Sequence, residues 1–161
     1  MIEVVVDSIR YSLTRQDRAI LLKESEQERQ LPIYIGRAEA EAILFELKEY
    51  PHPRPLTHDL LKECITALGG ALQYIFINDL HDDIFFAVLH IVREDQQIDI
   101  DARPSDSIAL AVRARVPIYV AEHVMDKAAV LPAEKADEDK EHLAVFRDFV
   151  NSLDLGSLEE E

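Results

Sequence analysis

Two long apolar runs place the strongest constraint on the fold of this chain. Ala71 to Leu80 and Ile84 to Val92 are rich in β-branched and aromatic residues, and His81-Asp82-Asp83 separates them. This pattern predicts the two strands of a β-hairpin, although Asp-Asp is a weaker turn signal than Asp-Gly. Because both faces of each run are apolar, we expect both strands to lie inside a sheet and not at its edge.

The residues before this hairpin predict three strands and then two helices. Alternating apolar residues begin at Ile2, and their phase changes near Asp7-Ser8, where we expect a bulge. Residues 19–23 and 31–35 continue the strand pattern, and residues 37–50 form a helical one. Thr57 is a suitable N-cap for the second helix, and Gly69 closes it. Its apolar stripe, in which we expect Cys64 to be buried, is Leu60, Leu61, Cys64, Ile65 and Leu68.

The residues after the hairpin alternate strand and helix patterns. Residues 93–97 predict a turn, and a short strand follows around Ile98 and Ile100. We expect Ser105 to cap a helix over 106–115, residues 116–120 to form a strand, and a short helix to end near Val130. We divide the chain into a domain at 1–131 and, at 132–161, an acidic linker with a C-terminal amphipathic helix.

Charge limits the classes of function that are open to the chain. It has 17 basic and 32 acidic residues, a formal net charge of -15. A protein of this charge lacks the broad basic surface of tight nucleic-acid binders. DNA or RNA is therefore expected only as a substrate that is not held tightly.

The single cysteine and the apolar segments indicate a cytoplasmic protein. Cys64 has no partner for an internal disulfide, which favours a reducing compartment. The first residues do not form a signal peptide, and no apolar run approaches 18 residues, so we expect no contact with a membrane.

The first chemically rich junction is Arg54-Pro-Leu-Thr-His-Asp59. His58 and Asp59 fall in the first turn of the predicted helix, where an acid is favoured by the helix dipole. His and Asp side chains also bind divalent metals, and a carboxylate can orient a histidine that acts as a base. The sequence leaves both interpretations open.

The second junction runs from Asp99 to Asp106, where a strand changes into a helix. Asp99 and Asp101 share one face of that strand, and Arg103 has the same parity. Such a row can clamp a metal ion and a phosphate, or it can be a solvated strand edge with an ion pair. Other polar residues rank lower: His81 to Asp83 lie at a hairpin tip, and we expect Glu39 and Glu41 to be surface residues.

The two junctions belong to a larger set of motifs that resembles the bifunctional nuclease family. These motifs, in chain order over residues 1 to about 130, are Leu31-Pro-Ile-Tyr-Ile-Gly36 with Glu39-Ala40, Arg54 to Asp59, and Asp101-Ala-Arg-Pro-Ser-Asp106 with Ile108-Ala-Leu. The resemblance implies an α+β domain with a substantial mixed sheet that often forms a homodimer. It also implies nuclease activity, which in some members acts on both DNA and RNA. We expect that sheet to be mainly antiparallel, with several packed helices, in a single domain followed by the C-terminal helix.

The polar residues of these motifs supply the predicted site. His58, Asp59, Asp101 and Asp106 are the predicted catalytic residues, and Arg54 and Arg103 are predicted to bind the scissile phosphate. Asp59, Asp101 and Asp106 would hold Mg²⁺ or Mn²⁺, because hard cations prefer carboxylate ligands. The site requires the two Arg-Pro junctions to converge in space.

A second hypothesis belongs to a different class. The protein would be a non-enzymatic, oligomeric binding or regulatory module, and its polar junctions would be helix caps and ion pairs. The acidity of the chain and the lack of a basic patch favour this reading, and the sequence alone does not decide between the two.

Overall fold

The computed structural model describes residues 1–11 and 18–131, so the predicted acidic linker and C-terminal helix lie outside the described residues. The described part contains seven strands and four helices. In chain order they are β1 Ile2–Tyr11, β2 Arg18–Glu24, β3 Gln30–Ile35, α1 Arg37–Leu47, α2 Thr57–Ala67, β4 Gly70–His81, β5 Ile84–Arg93, β6 Gln96–Ala102, α3 Pro104–Ala114, β7 Ile118–Val120 and α4 Glu122–Ala128.

The strands form one mixed sheet in the order β3-β2-β1-β7-β4-β5-β6. β7 runs parallel to β4, and every other pair in the sheet is antiparallel. The predicted α+β class and mainly antiparallel sheet are confirmed. β4 and β5 lie inside the sheet, as their apolar faces predict, and β6 forms its edge.

Local backbone features explain two turns of the sheet. The register of β1 against β2 shifts between Val6 and Ser8, which confirms the predicted bulge. Asp82 and Asp83 both have positive φ, so they form the type I′ geometry that suits a two-residue hairpin. Aspartate tolerates this conformation better than most residues, and the hairpin therefore forms without glycine.

The starts of α2 and α3 differ from the prediction. Thr57 is the first residue of α2 and Leu56 is its N-cap, while Arg103 is the N-cap of α3 and Pro104 its first residue. The predicted caps, Thr57 and Ser105, were therefore wrong. Proline is favoured at the first helical position because its φ is already helical. An N–H at that position has no partner within the helix, so proline loses no hydrogen bond there.

Helix α2 differs from the prediction in burial. Cys64 is exposed, and Leu60, Leu61 and Leu68 are 58%, 40% and 74% exposed. The predicted burial was therefore wrong for these four residues, whereas Ile65 of the same stripe is partly buried and packs against the core. Helix α2 contacts α3 and β4 and leaves the rest of its apolar stripe outside. In α1, Ile43 is buried whereas Leu47 is exposed. Among the described residues, no helix has the length and apolarity needed to cross a membrane.

Helix α3 is the most buried helix of the described structure, and Arg113 lies within it. Its side chain is only 3% exposed. Arg113 Nη1 donates to the carbonyl of Ala109 (2.8 Å), and Nη2 donates to the carbonyl of Ala42 in α1 (3.0 Å). Arg113 Nε donates to Asp59 Oδ1 of α2 at 2.5 Å. One guanidinium therefore joins three helices.

Removal of this guanidinium should destabilise the fold. We expect Arg113→Met to lower the free energy of unfolding by about 3 kcal/mol, because breaking a buried pair leaves the partner charge and two carbonyls unsatisfied. Urea denaturation at pH 7 measures this. Arg115→Met is the matched control, since Arg115 is exposed at the end of the same helix and its loss should cost less than about 0.5 kcal/mol. Equal stability of the two variants would contradict the structural role of Arg113.

The loss of stability in Arg113→Met should depend on pH, because Arg113 is paired with the titratable carboxyl of Asp59. Burial raises the pKa of the Asp59 carboxyl, but the Leu56 N–H and Arg113 outweigh it and leave the pKa below its ordinary value. A carboxyl of lowered pKa stabilises the fold above its unfolded pKa of about 3.9, and this contribution disappears as the pH falls through the folded pKa. The difference between wild type and Arg113→Met should therefore narrow below about pH 4.

Candidate functional site

The two Arg-Pro junctions meet at the N-termini of α2 and α3. His58, in the first turn of α2, places Nε2 3.2 Å from Asp106 Oδ1, in the first turn of α3. The His58 side chain is 12% exposed and that of Asp106 is 31% exposed. A histidine and a carboxylate that are 48 positions apart in the chain thus form a direct contact, as the predicted convergence requires.

Arg103 holds the other side of the same carboxylate. Its Nε donates to Asp106 Oδ2 at 2.7 Å and its Nη2 donates to Oδ1 at 3.2 Å, so the contact is bidentate. Arg103 is the N-cap of α3 and Asp106 is its third residue, which places the two side chains next to each other. Two thirds of the Arg103 side chain is exposed to solvent.

Glu39 completes the cluster from a third helix. Arg103 Nη2 lies 3.0 Å from Glu39 Oε1, and the Glu39 side chain is largely buried although the sequence predicted a surface residue. Glu39 is in the first turn of α1 and folds back over Gly36. A Cβ atom at position 36 would lie 2.3 Å from Glu39 Oε2, so the absence of a side chain there leaves room for the carboxylate.

Asp106 is held as an anion in this arrangement. Burial raises the pKa of its carboxyl, but the hydrogen bonds and charge of Arg103 and the contact with His58 outweigh burial and leave the pKa below its ordinary value. The carboxylate of Asp106, and to a smaller extent that of Glu39, raises the pKa of Arg103. The site therefore presents a histidine ring oriented by a carboxylate that stays ionised at neutral pH.

These residues line an open cleft of about 590 Å³, which we call the His58 cleft. Its wall is formed by α1, by the segment that leads into α2, and by the start of α3. The polar side chains that line it are Glu39, Glu41, Thr57, His58, Arg103 and Asp106, and the apolar ones include Phe45 and Leu56. The volume falls within the range typical of small-molecule sites.

The remaining predicted site residues lie elsewhere. Asp59 faces Arg113, and its second oxygen accepts the Leu56 N–H (2.7 Å), so both oxygens have structural partners. Asp101 is an exposed residue of β6 paired with Val88, and it does not line the His58 cleft. Arg54 is exposed before Pro55 and is also absent from the lining of this cleft.

The metal ligands predicted from the sequence do not form a cluster. Within residues 1–11 and 18–131, no group of three or more His, Cys, Asp or Glu side chains has a geometry that could hold a metal ion. The set Asp59, Asp101 and Asp106 therefore stays a prediction that this geometry does not support. Glu39, which we expected to be a surface residue, contacts the same Arg103 guanidinium as Asp106 does.

A second histidine pair lies on the sheet. His90 Nδ1 is 2.6 Å from Asp99 Oδ1, and the His90 ring stacks on Tyr74 with a centroid distance of 4.2 Å. His90 and Asp99 are cross-strand partners in β5 and β6. This explains the position of Asp99, which belongs to a different surface from His58.

Comparisons with known proteins agree with the motifs. A family model described as the bifunctional nuclease domain matches residues 20–132. An uncharacterized protein of Mycobacterium tuberculosis is 40% identical over 157 residues, which cover 94% of each chain. Bifunctional nuclease 1 of Oryza sativa subsp. indica is 31% identical over 106 residues, and bifunctional nuclease 2 of Arabidopsis thaliana is 26% identical over 93. These matches cover 63% and 56% of this chain, and 32% and 28% of the plant proteins.

The electrostatics of the His58 cleft can be tested without an activity assay. We expect Arg103→Gln to raise the pKa of Asp106, because the guanidinium is the main group that stabilises its ionised form. A carbon-13 NMR titration of the carboxyl measures this pKa. Arg37→Gln is the control, since it removes an arginine that pairs with Glu41 at the same cleft and should leave Asp106 unchanged. An unchanged pKa in Arg103→Gln would show that the bidentate contact does not persist in solution.

Proposed function

Because the chain belongs to the bifunctional nuclease family, we propose that it hydrolyses phosphodiester bonds of DNA, RNA or both at the His58 cleft. The observation that supports this site is the continuous contact between His58, Asp106 and Arg103 in an open cleft. A base, a group that orients it, and a cation for phosphate are the parts that such a reaction needs.

In the proposed mechanism His58 is the acid–base residue. Asp106 contacts Nε2 and fixes the ring, so Nδ1 is the nitrogen for proton transfer. His58 takes a proton from the attacking water, the water oxygen forms a bond to phosphorus, and the bond from phosphorus to the leaving oxygen breaks. The leaving oxygen takes a proton from a solvent water, and His58 then releases its proton to solvent, which restores the starting state. Water suits both polymers as the nucleophile because DNA has no 2′-hydroxyl.

Arg103 is the proposed phosphate ligand. Its guanidinium already makes fork-shaped contacts with a carboxylate, which is the geometry that phosphate oxygens also offer. Because its side chain is mostly exposed, it can turn from Glu39 towards a substrate. Arg54 is the other predicted phosphate ligand. It would bind phosphate at the rim of the His58 cleft, since it precedes the lining residue Pro55.

Divalent metal remains part of the proposal. Mg²⁺ in phosphoryl-transfer sites is often held by one or two carboxylates together with substrate phosphate, and not by a complete protein cage. Glu39 and Asp106 would hold Mg²⁺ or Mn²⁺ here, and the ion would offset negative charge on the phosphate. Asp59 and Asp101 are omitted from this pair because the structure places them away from the cleft lining.

Cleavage of a labelled single-stranded oligonucleotide tests the proposal. We expect His58→Ala and Asp106→Asn to reduce the cleavage rate at least about 100-fold, because general acid–base catalysis contributes 10²–10⁴-fold. Asp95→Asn is the control, since it neutralises an exposed acid in the β5–β6 turn and should cleave as wild type does.

Two further arms of this assay complete the test. Treatment with EDTA should abolish cleavage and added Mn²⁺ should restore it, whereas full activity in EDTA would remove the metal from the mechanism. Equal cleavage by wild type, His58→Ala and Asp106→Asn would indicate a contaminating nuclease. That result would favour the alternative, a non-enzymatic binding or regulatory module that works in the same cytoplasmic setting.

The exposed apolar face of α2 supports a homodimer in either case. Leu60, Leu61 and Leu68 project from a helix that buries none of its residues fully. Exposed apolar side chains gathered on one element commonly mark an interface. We propose that the α2 face, meaning these three leucines, contacts a second copy of the chain.

Light scattering after size exclusion tests the dimer. We expect wild type to have the mass of two chains and Leu61→Asp/Leu68→Asp to have the mass of one, because the charges would be desolvated in the interface. Both leucines are exposed, so the fold should survive, and unchanged circular dichroism would confirm this. Glu63→Gln/Thr66→Ala alters exposed polar positions of the same helix and should leave the mass unchanged. A monomeric wild type would contradict the proposed interface.

A further inference from the structure

A second cleft adjoins the His58 cleft. It has a volume of about 290 Å³ and lies between the end of β3, the tip of the β4–β5 hairpin and the start of α3. We call it the Tyr34 cleft. Glu39 and Arg103 line both clefts, so the ion pair between these two residues forms the boundary that the clefts share.

The boundary position of Arg103 has a consequence for a bound polymer. A phosphate bound to the Arg103 guanidinium would lie between the two clefts. The nucleotide on one side of this phosphate would lie towards the His58 cleft, and the nucleotide on the other side would lie towards the Tyr34 cleft. The Tyr34 cleft is therefore positioned to receive the nucleotide that follows or precedes the phosphate cleaved at His58.

The lining of the Tyr34 cleft indicates which part of a nucleotide it receives. Tyr34 lines this cleft and is 75% exposed, so its ring is accessible to a ligand. Phe85 and the exposed Ile84 line the same cleft. Asp83 also lines it, and a carboxylate there would repel a phosphate. The lining thus suits an uncharged, flat, partly apolar group.

We propose that the Tyr34 cleft is a nucleobase subsite, in which one base stacks on Tyr34 beside the phosphate held by Arg103. This rests on the proposed nuclease function and adds the substrate class, which is single-stranded nucleic acid. A base within a duplex is paired and stacked on both sides, so it cannot enter a cleft of this size without being extruded. Stacking on an aromatic ring is tolerant of sequence, since every base has a flat face.

Fluorescence anisotropy tests the subsite separately from catalysis. The full chain is titrated into fluorescein-labelled 12-residue oligothymidylate in EDTA at low salt, and the strand is checked for integrity on a gel. We expect Tyr34→Ala to weaken binding about 5- to 100-fold, which corresponds to 1–3 kcal/mol for one stacked base. Tyr34→Phe should bind within about twofold of wild type, because it keeps the ring.

Matched controls separate stacking from general effects. Phe86→Ala removes another exposed aromatic ring of the β4–β5 hairpin that lines neither cleft, and it should bind as wild type does. An oligomer of abasic residues should bind wild type and Tyr34→Ala equally, because it has phosphates and no bases. The same strand in a duplex should bind more weakly than the single strand.

The outcomes for the subsite and for catalysis are distinct. Unchanged binding by Tyr34→Ala, or no binding by wild type, would overturn the subsite even if cleavage at His58 were demonstrated. Conversely, Tyr34-dependent binding of a strand that is never cleaved would support the subsite and refute the nuclease proposal. Equal binding of duplex and single strand would overturn the assigned substrate class.

Discussion

The buried Arg113 guanidinium is the interaction on which the arrangement of the site depends. Its contacts reach the Asp59 carboxylate in α2 and the Ala42 carbonyl in α1. The carbonyl of Arg113 in turn accepts a hydrogen bond from Lys62 of α2 at 3.0 Å. Helix α2 has no fully buried residue, and Ile65 is the residue of α2 that packs partly buried against the core. Polar contacts with α3 at Asp59 and Lys62 therefore tie the first turns of α2, which include His58, to α3.

Asp59 and Asp106 occupy equivalent positions in their helices but have different roles, because their surroundings differ. Asp59 and Asp106 are each the third residue of a helix, where the helix dipole favours a negative charge. Asp59 faces a buried arginine and the backbone of its own cap, so its charge is used to connect helices. Asp106 faces an exposed arginine and a histidine at a cleft, so its charge is available to a ligand. The same local sequence chemistry thus supports structure at one junction and a candidate site at the other.

The sequence predicted features that depend on local pattern and missed those that depend on distant contacts. The interior hairpin and the bulge in β1 follow from apolar alternation. The convergence of the two Arg-Pro junctions was expected only because the predicted site required it. The task of Asp59 could not be predicted, because its partner Arg113 lies 54 positions away in what reads as an ordinary helix end. Glu39 was missed for a similar reason, since only the folded chain brings it to Arg103. Its position three residues after Gly36 was the available signal.

Helix packing explains the errors in burial. An apolar stripe such as that of α2 predicts that a helix has a face to cover, but the stripe does not say whether the covering surface belongs to the same chain. In this fold α3 occupies the position against β4 and β5, and α2 lies beside it with its leucines outside. Cys64 shares that outward face, which is why a residue expected in the core is exposed.

The acidity of the chain and its proposed polyanionic substrate can be reconciled at Arg103. In the free protein its charge is matched by two carboxylates, Glu39 and Asp106, so the cluster offers little net attraction to phosphate. A substrate phosphate must share the guanidinium with groups that already satisfy it, and electrostatic contacts alone would then give weak binding. Affinity must come mainly from contacts that carry no charge, such as stacking of bases on exposed rings. An acidic nuclease of this construction would bind its substrate loosely and distinguish strands by whether their bases are free.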